Sequence, residues 1–337
     1  MKKLLAAALS LALVLSLCGT GASASEVENG LDAIQDALTQ GSTETSGAVS
    51  GLDDLRDGSS ADTVPTPDDF PSDYDYGSGT ISGYSRTNML RHLPAPEGNA
   101  TVLNTAADPT QIQVLYLWEE GNVPAKTRFT QNMTGYFDEW DFRPYVTAIP
   151  VRAGVQPKGA VVLMAGGAYQ FRGNYTDSLP TAAALRELGF QTFIVDYRLS
   201  PYTQEEGALD VARAVRFIRK NADVYGINPD AIAVMGFSAG GIQAGEFLMH
   251  YDEDVTGLAL DSSYVPDALD ALPAHASAAG MIYPFYRQFQ QQYDVIHSMG
   301  IPTGRIVLNG WPHGFGADGG WVGDYAAWLE EVFAQLS

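Results

Sequence analysis

The residues that could do chemistry begin in the stretch VMGFSAGG, Val234 to Gly241. Ser238 stands in Gly236-Phe237-Ser238-Ala239-Gly240, the pattern of a serine nucleophile carried on a sharp turn. The apolar run AIAVMGF before it has strand character, and AGGIQAGEFLMH after it can run as a helix. Between a strand and a helix the backbone turns tightly. Small neighbours let the two elements approach, and the hydroxyl is pushed out of the turn. A Gly/Ser-rich tight turn without chemistry has the same local signature, so the rest of the chain has to supply the partners.

Acyl transfer by serine needs a base for the hydroxyl proton and donors aimed at the developing oxyanion. The chain has five histidines, His92, His250, His275, His297 and His313. Only His313 lies in a loop directly after an expected sheet strand, in RIVLNGWPHGFG, 75 residues beyond Ser238. His250 and His297 read as helix-surface residues, and His92 and His275 have no supporting context. The oxyanion donors are expected from LMAGGAYQF, where a strand ends at Ala165 and glycines follow. The N–H of Gly167 or Ala168, joined by that of Ala239 after the serine, would form the hole.

These groups need a scaffold that brings strand ends together. IQVLYLW, PYVTAIPV, GAVVLMAGG, FQTFIVDYRL, AIAVMGF, VTGLALD and RIVLNG read as strands. TAAALRELG reads as a short helix, EEGALDVARAVRFIRKNADVYG as a long one, and GDYAAWLEEVFAQL as the last. In the long helix Ala208, Val211, Ala212, Val215 and Ile218 recur at helical spacing. Alternating strands and helices predict an α/β fold with a mostly parallel sheet and helices on both faces. Ligands then belong at the carboxyl ends of the strands, where Ser238 stands.

AGGAY, VDYRLSP, GFSAGG and PHGFG occur in that order. Together they resemble the α/β-hydrolase fold, in particular its secreted bacterial acetyl-xylan-esterase-like and short-chain serine esterase branch, over roughly residues 110 to 337. The resemblance implies that Asp196 and Arg198 of the DYR stretch support the oxyanion loop without reacting; a structural ion pair is an equal use of Arg198. The family's HGG is AGG here, with Ala165 in place of histidine. The resemblance also implies an acid-bearing loop between the strand after the nucleophile helix and the histidine strand. Here AAGMIYPFYRQFQQQYDVIHSMGIPTG runs from a short apolar stretch straight into a helix, and no acid precedes Asp294. Asp261, at the end of VTGLALD, is the expected third member of the triad; a helix-borne Asp294 and a site with no acid remain open.

The whole chain has 337 residues, 45% of them hydrophobic, enough for a sizeable core. Residues 1–24 read as a signal peptide: Lys2 and Lys3, the run LLAAALSLALVLSL, and ASA ending at Ala24. Lipidation at Cys18 is disfavoured by the bulky Leu17 before it. After cleavage no cysteine remains, which excludes disulfide and thiol chemistry. Residues 25–85 read as a flexible acidic linker rich in Ser, Thr, Gly and Asp, too poor in apolar surface to order itself. Within it PDDFPSDYDYG does not have the spacing of an EF-hand calcium loop. Residues 86–337 are the expected catalytic domain. A net charge of −21 argues against nucleic acid and anionic membrane surfaces as partners. Neither a metal nor a cofactor is expected. The expectation is a secreted carboxylesterase that removes short acyl groups, acetyl above all, from a small-molecule or carbohydrate ester, with Trp311, Trp321 and Tyr169 placed to stack on sugar rings. The alternatives are a prolyl-oligopeptidase-like peptidase, for which no propeller repeat is present, and an impaired hydrolase that binds without turnover.

Overall fold

A computed structural model of the chain describes residues 109–128, 138, 141–284, 293–294, 297–298, 303–308 and 313–336. Residues 1–24, expected to be a signal peptide, the acidic segment 25–85 and residues 86–108 lie outside them, as do His92 and Trp311. Two compact units divide the chain. Residues 55–289 and 306–337 carry the fold below; residues 1–54 and 290–305 make the other. In the second unit Tyr293 stacks on His297 with ring centroids 5.5 Å apart, and His297 Nδ1 meets Thr303 Oγ1 at 2.7 Å.

The main unit is built on a six-stranded sheet, in order β1 (Gln113–Tyr116), β2 (Tyr145–Ile149), β4 (Gln191–Asp196), β3 (Ala160–Met164), β5 (Ile232–Phe237), β6 (Ala278–Ile282). β1–β2 and β2–β4 are antiparallel; β3 pairs in parallel with β4 and β5, and β5 with β6. β3, β4 and β5 are buried along their whole length. That is why AVVLM and IAVMGF are continuous apolar runs rather than alternating ones.

Alternation reappears as two cores. Val162, Met164, Phe193, Val195, Ile232 and Val234 point to one face, where α2 (Gln204–Lys220) supplies Ala208, Leu209, Val211, Ala212 and Val215. Val161, Leu163, Ile194, Ala233 and Met235 point to the other, covered by α1 (Ser178–Glu187) and α5 (Trp321–Ala334) through Leu179, Leu185, Val322 and Leu329. A capping box starts α2: Thr203 Oγ1 accepts from the Glu206 N–H at 3.3 Å, and Glu206 Oε2 accepts from the Thr203 N–H at 2.7 Å. The helix breaks at Asn221 rather than running on to Gly226; Ala222–Tyr225 forms a separate turn, α3.

Two of the expected strands do not form. VTGLALD gives a 3₁₀ turn, Gly257–Ala259. The sheet position beside β5 is taken by β6, so this run has no strand to pair with. It lies in a segment tied to α2 by three arginines. Arg213 Nη1 reaches Asp267 Oδ1 at 2.7 Å. Arg216 donates to the carbonyls of Leu272, Glu253 and Val255 at 2.7–3.0 Å, and Arg219 to those of Pro273 and His275 at 2.6 and 2.7 Å. The second run, RIVLNG, keeps its alternation without a ladder over residues 303–308: Ile306 and Leu308 pack against the α1/α5 core and Val307 is 56% exposed. No described helix is long and apolar enough to cross a membrane.

Candidate active site

Ser238 sits at the carboxyl end of β5, at φ 50° and ψ −113°, immediately before α4 (Ala239–Glu246). A non-glycine residue holds this backbone only where its surroundings enforce it. Here the glycines do so by letting α4 press onto the sheet. A Cβ on Gly236 would stand 1.9 Å from the Gly240 carbonyl oxygen, and one on Gly240 would stand 2.1 Å from that of Met164. The Ser238 N–H donates to the Ile282 carbonyl at 2.9 Å, which fastens the turn to the end of β6.

His313 Nε2 lies 2.9 Å from Ser238 Oγ. Its loop is anchored behind it. Gly316, at φ 59°, packs so close to the Thr176 carbonyl oxygen that a Cβ would fall 2.1 Å away, and Trp321 Nε1 donates to the Gly316 carbonyl at 3.0 Å. Tyr283, at φ 37°, directly follows β6 and turns its ring to within 4.9 Å of the His313 ring and 4.7 Å of Phe315, both edge-on. The Tyr283 hydroxyl donates to Asp177 Oδ1 at 2.7 Å.

The loop after β3 folds back tightly on itself. The Gly166 N–H donates to Asp177 Oδ2 at 2.9 Å, and the Gly166 carbonyl accepts from Gly173 at 2.9 Å. Gly167 (φ 135°), Ala168 (φ 54°) and Tyr169 (φ 59°) then turn through left-handed space. Only glycine fits at 167, where a Cβ would stand 2.0 Å from the Phe171 carbonyl oxygen. Among the described residues the N–H groups of Gly167 and Ala168 donate to nothing. The N–H of Ala239, in the first turn of α4, has no acceptor within its helix. Three donors of this kind, beside a serine and its base, suit a tetrahedral oxyanion.

Below this surface the DYR stretch is structural. Tyr197 Oη donates to the Ala165 carbonyl at 2.8 Å, and burial pushes its phenol upward. Arg198 and Asp210, both fully buried, pair at 2.9 Å, and Arg198 also donates to the Pro124 and Glu206 carbonyls. Arg198 therefore ties core segments and reaches the oxyanion loop only through its neighbour Tyr197. Asp196 accepts from Asn174 Nδ2 at 2.9 Å, in the turn that leads to Asp177. Burial, offset in part by Arg172, pushes the Asp196 carboxyl up to about 6.

Asp261 is not beside the histidine. Oδ1 accepts from the Ser263 N–H at 2.9 Å and Oγ at 2.6 Å, and Oδ2 from the Ala125 N–H at 3.4 Å. The hydroxyl and N–H of Ser263 hold its carboxyl below the ordinary range. The cause is the missing strand: the residue expected at a sheet edge sits instead in a loop beyond the 3₁₀ turn. No carboxylate bonds to His313 Nδ1 among the described residues. Between Pro284 and His313 the sequence holds one acid, Asp294.

Of the other expectations, Trp321 is buried beneath Phe237 and cannot stack on a ligand. Tyr169 is half-buried against Tyr197. His250 pairs with Glu246 at 2.9 Å, and His275 with Asp230 at 3.3 Å. Among the described residues no three His, Cys, Asp or Glu side chains cluster to hold a metal ion. Sequence reasoning missed Asp177 and Tyr283. The only signals for them are positional: Asp177 precedes the first helical residue of α1, and Tyr283 is the first residue past β6.

Residues 150–257 match the BD-FAE family model. The chain is 36% identical over 86 residues to an acetylxylan esterase of Xylanibacter ruminicola, covering 25% of this chain and 18% of the relative. It is 27% identical over 143 residues to endo-1,4-beta-xylanase B of Butyrivibrio fibrisolvens, covering 41% of this chain and 20% of the relative. The chain thus spans about a fifth of the length of either. Among solved structures, an acetyl ester-xyloside bifunctional hydrolase from Caldicellulosiruptor lactoaceticus aligns with a TM-score of 0.52 at 18% identity, over 66% of this chain and 96% of that one. The shared fold is that of the α/β hydrolases.

Proposed function

We propose that this chain, built on the α/β-hydrolase fold, is a serine carboxylesterase that removes short acyl groups, acetyl above all, from carbohydrate outside the cell. The observation that carries the reading is the 2.9 Å approach of His313 Nε2 to Ser238 Oγ, beside three N–H groups with no acceptor of their own. Ser238 Oγ attacks the acyl carbon while His313 takes its proton. The Gly167, Ala168 and Ala239 N–H groups receive the oxyanion. His313 then returns the proton to the leaving alcohol, and water repeats the sequence to release the acid. The similarity to an acetylxylan esterase supports acetyl as the acyl group, and the leader-like residues 1–24 support export.

Hydrolysis of p-nitrophenyl acetate and labelling by a fluorophosphonate test this reading. Ser238→Ala should abolish both, and His313→Ala should cut turnover by about a thousandfold or more. A Ser238→Ala protein that keeps its rate refutes the assignment. One observation favours a second reading, a binding protein with little turnover: no carboxylate holds His313 Nδ1 among the described residues. Loss of that carboxylate costs about 10⁴ in a serine protease. Wild-type protein that does not label would support it.

A further inference from the structure

We infer that Tyr283, held by Asp177, is the positioning residue for the His313 ring, and that the single Asp177 carboxylate thereby sets both the base and the oxyanion loop. The inference rests on the esterase reading for its kinetic consequence, though not for its geometry.

One hydrogen bond, to Ser238 Oγ, leaves an imidazole free to swing about that contact. A second contact has to fix the plane of the ring. In other serine hydrolases a carboxylate on Nδ1 does this. Here the described groups against His313 are Ser238, at 2.9 Å, and the Tyr283 ring, at 4.9 Å with the ring planes at 63°. Tyr283 is itself pinned on several sides. Phe315 lies 4.7 Å from its ring and Phe237 5.8 Å, and its hydroxyl reaches Asp177 at 2.7 Å. Its φ of 37° is unfavourable for a bulky residue, so the surroundings must over-determine it. The backbone just before it is fixed as well, because the Ile282 carbonyl accepts the Ser238 N–H. Nucleophile and histidine support therefore leave the same two residues of chain.

Asp177 closes the circuit. It is 5% exposed; one oxygen takes the Tyr283 hydroxyl and the other the Gly166 N–H that begins the oxyanion loop. The carboxylate that other sites place on the histidine thus acts here through an intervening ring.

The test uses the full chain with Tyr283→Leu and Tyr283→Phe, each normalised to labelled Ser238. Tyr283→Leu should lower kcat on p-nitrophenyl acetate about tenfold to a hundredfold, with KM within about threefold, because ring misplacement affects the transition state and not uptake of a small ester. Tyr283→Phe keeps the ring and loses the tether to Asp177, and should recover only part of the rate, between Tyr283→Leu and wild type; full recovery would overturn the role given to Asp177. Nuclear magnetic resonance of histidine-labelled protein gives a readout independent of turnover. The His313 resonance, assigned with His313→Ala, should lose its ring-current shift in Tyr283→Leu. If His313 keeps its ring-current shift in that variant, or kcat is unchanged, the inference fails. If wild-type protein neither turns over nor labels while the resonance behaves as stated, the esterase reading fails and the positioning role stands.

Discussion

The nucleophile turn rests on glycines that have no room for a side chain, and α4 offers a paired perturbation with opposite signs. In Gly236→Ala the new Cβ would stand 1.9 Å from the Gly240 carbonyl oxygen and 2.1 Å from its carbon, where ordinary contact begins at 3.4 Å. Both partners are backbone, so no side chain can rotate away. Either α4 retreats from β5 by about 1.5 Å or the turn deforms. Overpacking costs about 1–3 kcal/mol where neighbours can yield, and this site should reach or exceed about 3 kcal/mol. A shift of about 1 Å at Ser238 should also cost about a hundredfold in rate. Gly245→Ala, on α4 itself whereas Gly236 is on β5, meets only the Met281 side-chain terminus at 3.5 Å. It should gain about 0.5–1 kcal/mol from the stiffer helix. Urea denaturation followed by circular dichroism, together with fluorophosphonate labelling, reads both. A Gly236→Ala protein with the wild-type midpoint and labelling rate would refute the argument, and a Gly245→Ala protein that loses stability would refute its second half.

Asp261→Asn should leave kcat on p-nitrophenyl acetate within about twofold of wild type, because that carboxylate serves Ser263 and Ala125; a hundredfold loss would restore it to the triad. Stability should also depend on pH through Asp196, whose carboxyl burial pushes up to about 6. The native state then holds this proton more tightly than the unfolded chain does. Its contribution is fully present below about pH 4 and is lost as pH rises through about 6. Against wild type, Asp196→Asn should gain on the order of 2 kcal/mol in relative stability between pH 4 and pH 7, and parallel urea-midpoint curves would contradict this.

The serine, its flanking glycines and the glycine loop after β3 are legible in the sequence because each is a local demand. A sharp turn or a close backbone approach restricts one or two positions to glycine, and the residue type records it. The fully buried strands β3, β4 and β5 are legible for a similar reason, as unbroken apolar runs between helical periodicities. Asp261 is misread because its run is apolar and short, and a run of that kind becomes a strand only when an edge is open to it. β6 occupies that edge, and AAGMI carries no stronger β signal than GLALD. The Asp177–Tyr283 pair joins positions 106 residues apart, through one ring and one carboxylate. No spacing rule connects them.

The ties from Arg213, Arg216 and Arg219 have a consequence of their own. Glu253 to His275 holds little regular structure, and several of its carbonyls are satisfied by guanidinium groups on one helix instead of by a neighbouring strand. A ladder can fray one rung at a time. Here Arg216 alone holds points as distant in sequence as Glu253 and Leu272, and the three arginines lie at successive turns of one helix. If α2 shifts or loses its register, the whole loop is released together. The segment and the helix thus form one cooperative opening unit, in which irregular chain inherits the slow exchange of the helix that grips it.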